Sequence, residues 1–524
     1  MNSTNNNIKI HRKPKRNDAP LPAPLLPSEK QVRKVFSSID ENFSFLNDLL
    51  GNAMGIVEHK YCLLDDKTEI GLVYIDSMSN KEYVSKQVIE PLLSSPFDSQ
   101  KHLNNILFLI QSKFTYIPDT KTSNEMKQIT EELFRGNTIL FIDGIDTAII
   151  IGSNKSEKRS IEKPENEPSL FGSMDSFTED LETNCSLLIR RLPTPDLRFE
   201  AFTVGRLSQS KVKLLWIENI SNTKAVEEAR QRIKSIDIDA IDGIGALTEL
   251  IEDQPLSIFA KYKQTQRPDV TAKYLEDGHF AILGSNSPYA FIAPVSFWDN
   301  FKTTDDYIDK SLVATYLRLI RVAAFILSIL ISPLYLAFIT HNHAVVPPAL
   351  AQNIASGREG VPFPSIVEVL LVTIIIGIIR EAAFRIPSSV GFFVGLLGAI
   401  VIGQSAVTAG YFSASVIIVV AISAIANFGF PSNPMVLPAR LINYFLIILS
   451  GFLGMFGLIN GIAIIFWHML RQESFGVPYL YPLVPFDREA LKDSFVRMPF
   501  GHLRKRFEIL SKNNRQRMSQ KGIK

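Results

Sequence analysis

The sequence predicts a duplicated α/β region on the cytoplasmic side of a membrane, followed by an α-helical polytopic membrane domain. Three observations carry this reading: a charge-poor stretch from 312 to 470, two blocks that repeat at one offset, and a strongly basic tail. At 524 residues the chain exceeds a single compact core and predicts two to four domains. Its averages, 46% hydrophobic, 21% charged and net charge +2, would suit a soluble protein, but they blend unlike parts. Between 312 and 470 only Arg318, Arg321, Arg358, Glu359, Glu368, Arg380, Glu381, Arg385 and Arg440 carry charge, where average composition would place about 33 such residues.

Residues 1–30, with "HRKPKR" and "PLPAPLLP", read as a disordered basic arm that buries too little surface to offset its ordering entropy. The arm lacks the apolar core of a signal peptide, so the region behind it is expected to stay in the cytoplasm. Two cysteines, Cys62 and Cys185, are too few for a disulfide framework or a metal cluster and fit a reducing compartment.

"IGLVYIDSMSN", 70–80, lies over "VKLLWIENISN", 212–222, and the same offset of 142 lays "GNTILFIDGIDTAIII", 136–151, over "GHFAILGSNSPYAFIA", 278–293. Apolar runs bounded by Gly, Asn and Asp read as strands. "TKAVEEARQRIKSI", 223–236, reads as a helix with Ala225, Val226, Ala229 and Ile233 on one face. The expectation is a first α/β subdomain over 40–155, a polar linker over 156–184 and a second α/β subdomain over 185–300. Two unrelated α/β domains with a chance match are the alternative.

In the membrane domain, 312–470, charge-free runs at 322–340, 388–409, 413–430 and 441–467 are long enough to span a hydrocarbon layer of roughly 30 Å. The segment 364–385 holds Glu368, ends in charged residues and begins among prolines. Lys302, Lys310, Arg318 and Arg321 precede the first run, and the tail, 471–524, has twelve Lys/Arg against five Asp/Glu. The positive-inside rule puts both flanks in the cytoplasm, which requires an even count. Four spans with a re-entrant or interfacial helix at 364–385 satisfy it, and five crossings are the alternative.

No phosphate loop, dinucleotide fingerprint, zinc-protease helix or nucleophile elbow occurs, so no enzyme, cofactor or metal is expected. His341 and His343 fit an interfacial loop better than a metal site. Asp143 and Asp146 suit a turn. Gly391, Gly395 and Gly398, and again Gly454, Gly457 and Gly461, form small-residue stripes for close helix packing, within one subunit or between subunits. Val401, Gln404 and Thr408 share a helical face, with Ser415 and Ser423 in the next run. They are candidates to line a narrow conduit, against the reading that the hydroxyls bond their own helix. Arg358, Glu359 and Glu368 are candidates for an outer vestibule, because lipid exposure of a carboxylate would cost a few kcal/mol.

Several further stretches, "RPDV" at 267–270, "REGVPFPSIVEVLL" at 358–371, "GAIVIGQSAVTAGYFSASVIIVVAISAIANF" at 398–428 and "SFGVPYLYPLVP" at 474–485, resemble in order the A subunits of GerA-type spore germinant receptors. The resemblance covers about 180 to 486 firmly and the first repeat loosely. It implies a nutrient sensor in the inner spore membrane that works with transporter-like B and lipoprotein C subunits. It also implies a homo-oligomeric ring that passes ions, taken as monovalent cations, when nutrient binds. No nucleic-acid partner is expected. Family members often carry acidic residues where Thr373 and Gly377 stand here, which puts selectivity in question. A non-conducting scaffold or an accessory protein of the same family is the alternative.

Overall fold

The computed structural model describes residues 33–51, 55–62, 69–93, 120–154, 172–385, 401–431, 433–511 and 514–518, together with Pro164 and Glu167. Two five-stranded sheets form the N-terminal region. The first comprises β1 (Ile56–Cys62), β2 (Glu69–Ile75), β3 (Thr120–Ser123), β4 (Thr138–Ile142) and β5 (Ala148–Ile151), in the order β1-β2-β4-β5-β3. The second comprises β6 (Leu197–Val204), β7 (Ser210–Ile217), β8 (Lys263–Thr265), β9 (Phe280–Gly284) and β10 (Ala290–Ala293), in the order β6-β7-β9-β10-β8. All neighbouring pairs are antiparallel. Corresponding strands end 142 residues apart: Cys62 and Val204, Ile75 and Ile217, Ser123 and Thr265, Ile142 and Gly284, Ile151 and Ala293.

The helices keep the same offset. α1 (Ile39–Leu50) and α2 (Met126–Phe134) begin 142 residues before α3 (Leu181–Arg191) and α6 (Pro268–Asp277). α4 (Thr223–Lys234) begins 142 residues after the helix that opens at Lys81, and α5 (Ile244–Ile251) follows α4. Local chemistry sets their limits. The Asp180 carboxylate accepts from the Thr183 N–H at the start of α3, Asn222 caps α4, and Pro268 opens α6, which Gly278 closes at φ 102. α4 buries Ala225, Val226, Ala229 and Ile233, the face its spacing predicts.

Strands such as β2 are apolar on both faces because both are covered. One continuous core joins the inner faces of both sheets with α1, α2, α3 and α6. The outer face of the first sheet packs on Val84, Val88 and Leu92, and that of the second on α4 and α5. At Gly71 a Cβ would lie 2.6 Å from Ile39 and 2.7 Å from Phe43, so α1 reaches the sheet only over a residue without a side chain.

The helical bundle contains α7 (Ser311–Thr340), α8 (Pro348–Ser356), α9 (Ser365–Arg385), α10 (Ala414–Ala426) and α11 (Asn433–Leu470). Its foot adjoins the second sheet and its head is the far end. α7 rises from the foot. α9 descends beside it, with Ile366 against Gly451 near the head, the Thr373 carbonyl accepting from Tyr444 and Arg380 5.2 Å over Phe428 at the foot. The segment 364–385, read from sequence as a re-entrant or interfacial helix, forms a 21-residue helix packed along α7 and the first leg of α11.

α10 also descends, from Ser413 beside Glu368 to Phe430 beside Phe325. α11 is not one rod. At Gly454, φ 60 and ψ −140, the chain reverses, and the two legs lie against each other through Gly461 and Leu446. The run 441–467, read from sequence as one span, thus contains a turn at Gly454 and is not one continuous helix.

Candidate functional site

The second α/β repeat meets the bundle through a buried ionic joint at the foot of α7. Arg318 is fully buried, with Nη2 3.0 Å and Nε 3.2 Å from Asp306 Oδ2. Its Nη1 donates to the carbonyls of Asp493, at 2.7 Å, and Ser494, at 3.2 Å. Arg321 reaches the other oxygen of Asp306 at 2.7 Å, and Tyr307 donates to Asp493 at 2.9 Å. Three segments distant in sequence thereby converge: the end of the second repeat, the first helix of the bundle and the tail. Around them Phe297, Phe301, Phe325 and Phe430 form edge-on ring contacts that exclude water. Separating such a desolvated pair is costly, because it leaves buried charge without its partner.

Beside the joint lies a cavity of about 480 Å³, bounded by Lys263, Lys273, His279, Asp299, Lys302 and, on the bundle side, Phe430. Burial lowers the pKa of His279 to about 4 and that of Lys273 to about 8. Burial pushes the Asp299 carboxyl up, but the Lys302 ammonium at 2.7 Å and His279 outweigh it and hold it well below the usual carboxylate range. His279 Nδ1 donates to the Pro294 carbonyl at 2.5 Å, which fixes the neutral tautomer. Among the described residues no cluster of His, Cys, Asp and Glu could hold a metal ion.

Within the bundle, polar side chains fasten helices together. Pro333 inside α7 has no N–H to give to the Ile329 carbonyl. Asn443 on α11 donates to that carbonyl at 3.3 Å and to the Ser328 carbonyl at 3.0 Å. Ser450 donates to the carbonyl of Pro333 itself. Neither Asn443 nor Ser450 figures in the sequence reading, although a proline within a charge-free run signals a carbonyl in need of a donor.

The residues singled out from sequence separate into distinct groups. Ser423 is buried and donates to the Ser328 carbonyl at 2.7 Å, so it joins α10 to α7 and does not face a conduit. Ser415 is half-buried on α10. Gln404 and Thr408 are exposed, and the Thr408 hydroxyl donates to the Gln404 carbonyl at 2.8 Å. Val401 begins the short π-helical turn Val401–Ser405 that carries Gln404.

Glu368 does not open onto a watery vestibule. It is fully buried, accepting from the Ser413 N–H at 2.5 Å and hydroxyl at 2.6 Å, with Arg358 at 3.7 Å. The alternative to water here is the unpaired N-terminus of α10, whose N–H groups attract a carboxylate. Glu359 is exposed and stands apart from this pair.

Gly454, Gly457 and Gly461 serve the fold of one chain. A Cβ would lie 2.6 Å from His341 at Gly454, 2.1 Å from the Leu449 carbonyl at Gly457 and 2.6 Å from Leu446 at Gly461. Gly391, Gly395 and Gly398 lie outside the described residues.

By length and apolarity, Ser311–Thr340 and Pro434–Leu470 could cross a membrane, the second folded back at Gly454. The sequence matches the family model described as Bacillus/Clostridium GerA spore germination protein over residues 44–509. It is 36% identical to spore germination protein KA of Bacillus subtilis, over 86% of this chain and 82% of that protein. Identity is 32% to the uncharacterized membrane protein YfkQ of Bacillus subtilis, over 95% of both, and 32% to spore germination protein GerLA of Bacillus cereus, over 89% and 94%. A crystal structure of the N-terminal domain of the A subunit of the Bacillus megaterium spore germinant receptor GerK3 aligns with TM-score 0.40 and 28% identity, covering 51% of this chain and 98% of that one.

Proposed function

Because this chain belongs to the Bacillus/Clostridium GerA spore germination protein family, we propose that it is the A subunit of a nutrient germinant receptor, forming an oligomeric, ion-conducting pore in the spore's inner membrane. The bundle is the membrane domain. Its outward surface is made of Ile418, Ile422, Leu441, Phe452, Ile459 and similar residues, a surface suited to acyl chains. α7 enters from the second α/β repeat and α11 returns to it, where His468 Nε2 lies 3.3 Å from Ser257 Oγ. The repeats and the tail therefore share one side, and the basic tail makes that side cytoplasmic.

The observation that supports conduction is Gln404, exposed beside Thr408 on a bundle whose surface is largely apolar, with Ser405 and Asn460 also exposed. Lipid is a costly environment for a Gln amide, and a water-filled lumen shared by several copies removes that cost. Monovalent cations are the proposed permeant, and transporter-like and lipoprotein subunits the proposed partners. The joint at Arg318 links movement of the α/β repeats to α7.

Purified protein in a planar lipid bilayer tests the reading. Discrete conductance steps, altered by Gln404→Leu, are expected. Silence from intact protein in stable rings overturns the pore in favour of a scaffold.

A further inference from the structure

Leu256 is 98% exposed, more than any other large apolar side chain among the described residues. It stands at the tip of the loop that follows α5, with Leu250 and Ile258 also exposed on either side. The loop is fastened to the last turn of α11: Gln254 Nε2 donates to the Arg471 carbonyl at 3.5 Å, Ser257 Oγ meets His468 Nε2, and Phe259 packs on the His468 ring at 6.0 Å. This is the level at which the bundle leaves its apolar zone. Trp467 is 60% exposed there, with the Arg471 guanidinium 5.1 Å over its ring. An indole beside an arginine is the side-chain pair that settles at a bilayer boundary.

The loop's acidic residues turn away from that boundary. Asp253 accepts from Arg232 and from the Phe475 N–H, and Glu252 accepts from the Lys261 N–H. The tip, "QPLSI" from 254 to 258, carries no charge to be repelled by an anionic leaflet. We propose that this loop is a membrane-dipping finger that places Leu256 in the interfacial layer of the cytoplasmic leaflet and pins the second α/β repeat to bilayer lipid at a fixed height. The proposal rests on the bundle being a membrane domain, and it adds lipid as a binding partner of the α/β region itself.

The test uses the full chain in phosphatidylethanolamine–phosphatidylglycerol vesicles, with Cys62→Ser as background and an environment-sensitive fluorophore on Leu256→Cys. Expected are blue-shifted emission, quenching by lipids spin-labelled near the headgroup, and protection from aqueous iodide. Leu207→Cys, 80% exposed in the turn between β6 and β7, should show the reverse. Ile459→Cys, exposed on the second leg of α11, reports the bundle separately. Lipid quenching at 459 with iodide quenching at 256 overturns the finger and leaves the membrane domain standing. Probes at both sites reached only by iodide overturn both. A probe at 256 hidden from lipid and iodide alike marks a protein contact and also overturns the proposal.

Discussion

Arg318 Nη2 lies 3.0 Å from Asp306 Oδ2, and both side chains are wholly removed from solvent. Such a pair adds little net stability, since desolvation offsets attraction, but breaking it leaves a buried charge under-compensated, with only Arg321 beside Asp306 or Asp493 beside Arg318 remaining. Asp306→Asn or Arg318→Met alone is expected to cost about 3–5 kcal/mol. The double variant should lose less than the sum of its parts, because each single change strands the opposite partner's charge and the double variant removes both. Thermal unfolding in detergent, compared across the four proteins, measures the coupling. Additive losses would show that the two charges act independently.

Gly457 sits where a Cβ would be 2.1 Å from the Leu449 carbonyl, whereas a Cβ on Gly377 would be 3.4 Å from the Tyr444 hydroxyl. Backbone cannot yield as a side-chain tip does. Gly457→Ala should therefore cost about 1–3 kcal/mol by overpacking the hairpin, while Gly377→Ala should leave the melting temperature in detergent nearly unchanged. Equal behaviour of the two variants contradicts the reversal at Gly454.

The duplicated α/β region was legible because strand patterns are local. The offset between Ile70 and Val212 persists through five strands and the helices between them. The joint was not legible, because Asp306, Arg318 and Asp493 are ordinary charges until the fold gathers them. Glu368 misled for a related reason: a carboxylate in an apolar run calls for a polar neighbour, and the sequence does not say whether that neighbour is water or the start of α10. Gly454 could have been read as a turn, since a leg on either side of it would span about 20–30 Å at 1.5 Å per residue. An unbroken apolar run hides its own reversal when no proline or charge marks it.

Glu368 accepts two hydrogen bonds from Ser413, which also begins α10 as its N-cap. Ser413→Ala is expected to cost about 1–2 kcal/mol. Glu368→Ala, which also strands Arg358, should cost about 3 kcal/mol or more. On the proposed pore reading, neither change should alter single-channel conductance, since the Glu368 carboxylate is fully buried within the chain. Folded yield and single-channel current read the two effects separately. A stable Glu368→Ala protein with altered current would contradict the burial.

His279 is buried and neutral, its pKa lowered from 6.5 to about 4. The groups nearest it are the Pro294 carbonyl, Asp299, Lys302 and the Tyr274 ring at 4.8 Å. In the unfolded chain the imidazole takes up a proton near its ordinary pKa, and in the folded chain only near 4. Between these values the unfolded state binds more protons, so stability falls as pH drops from about 6.5 to about 4, by about 3 kcal/mol from this group. Above about 6.5 its contribution is constant. Unfolding in denaturant across this window should show that slope in the native chain and lose it in His279→Leu, whose side chain fills similar space without titrating. An unchanged slope in the variant would assign the acid sensitivity to the carboxylates.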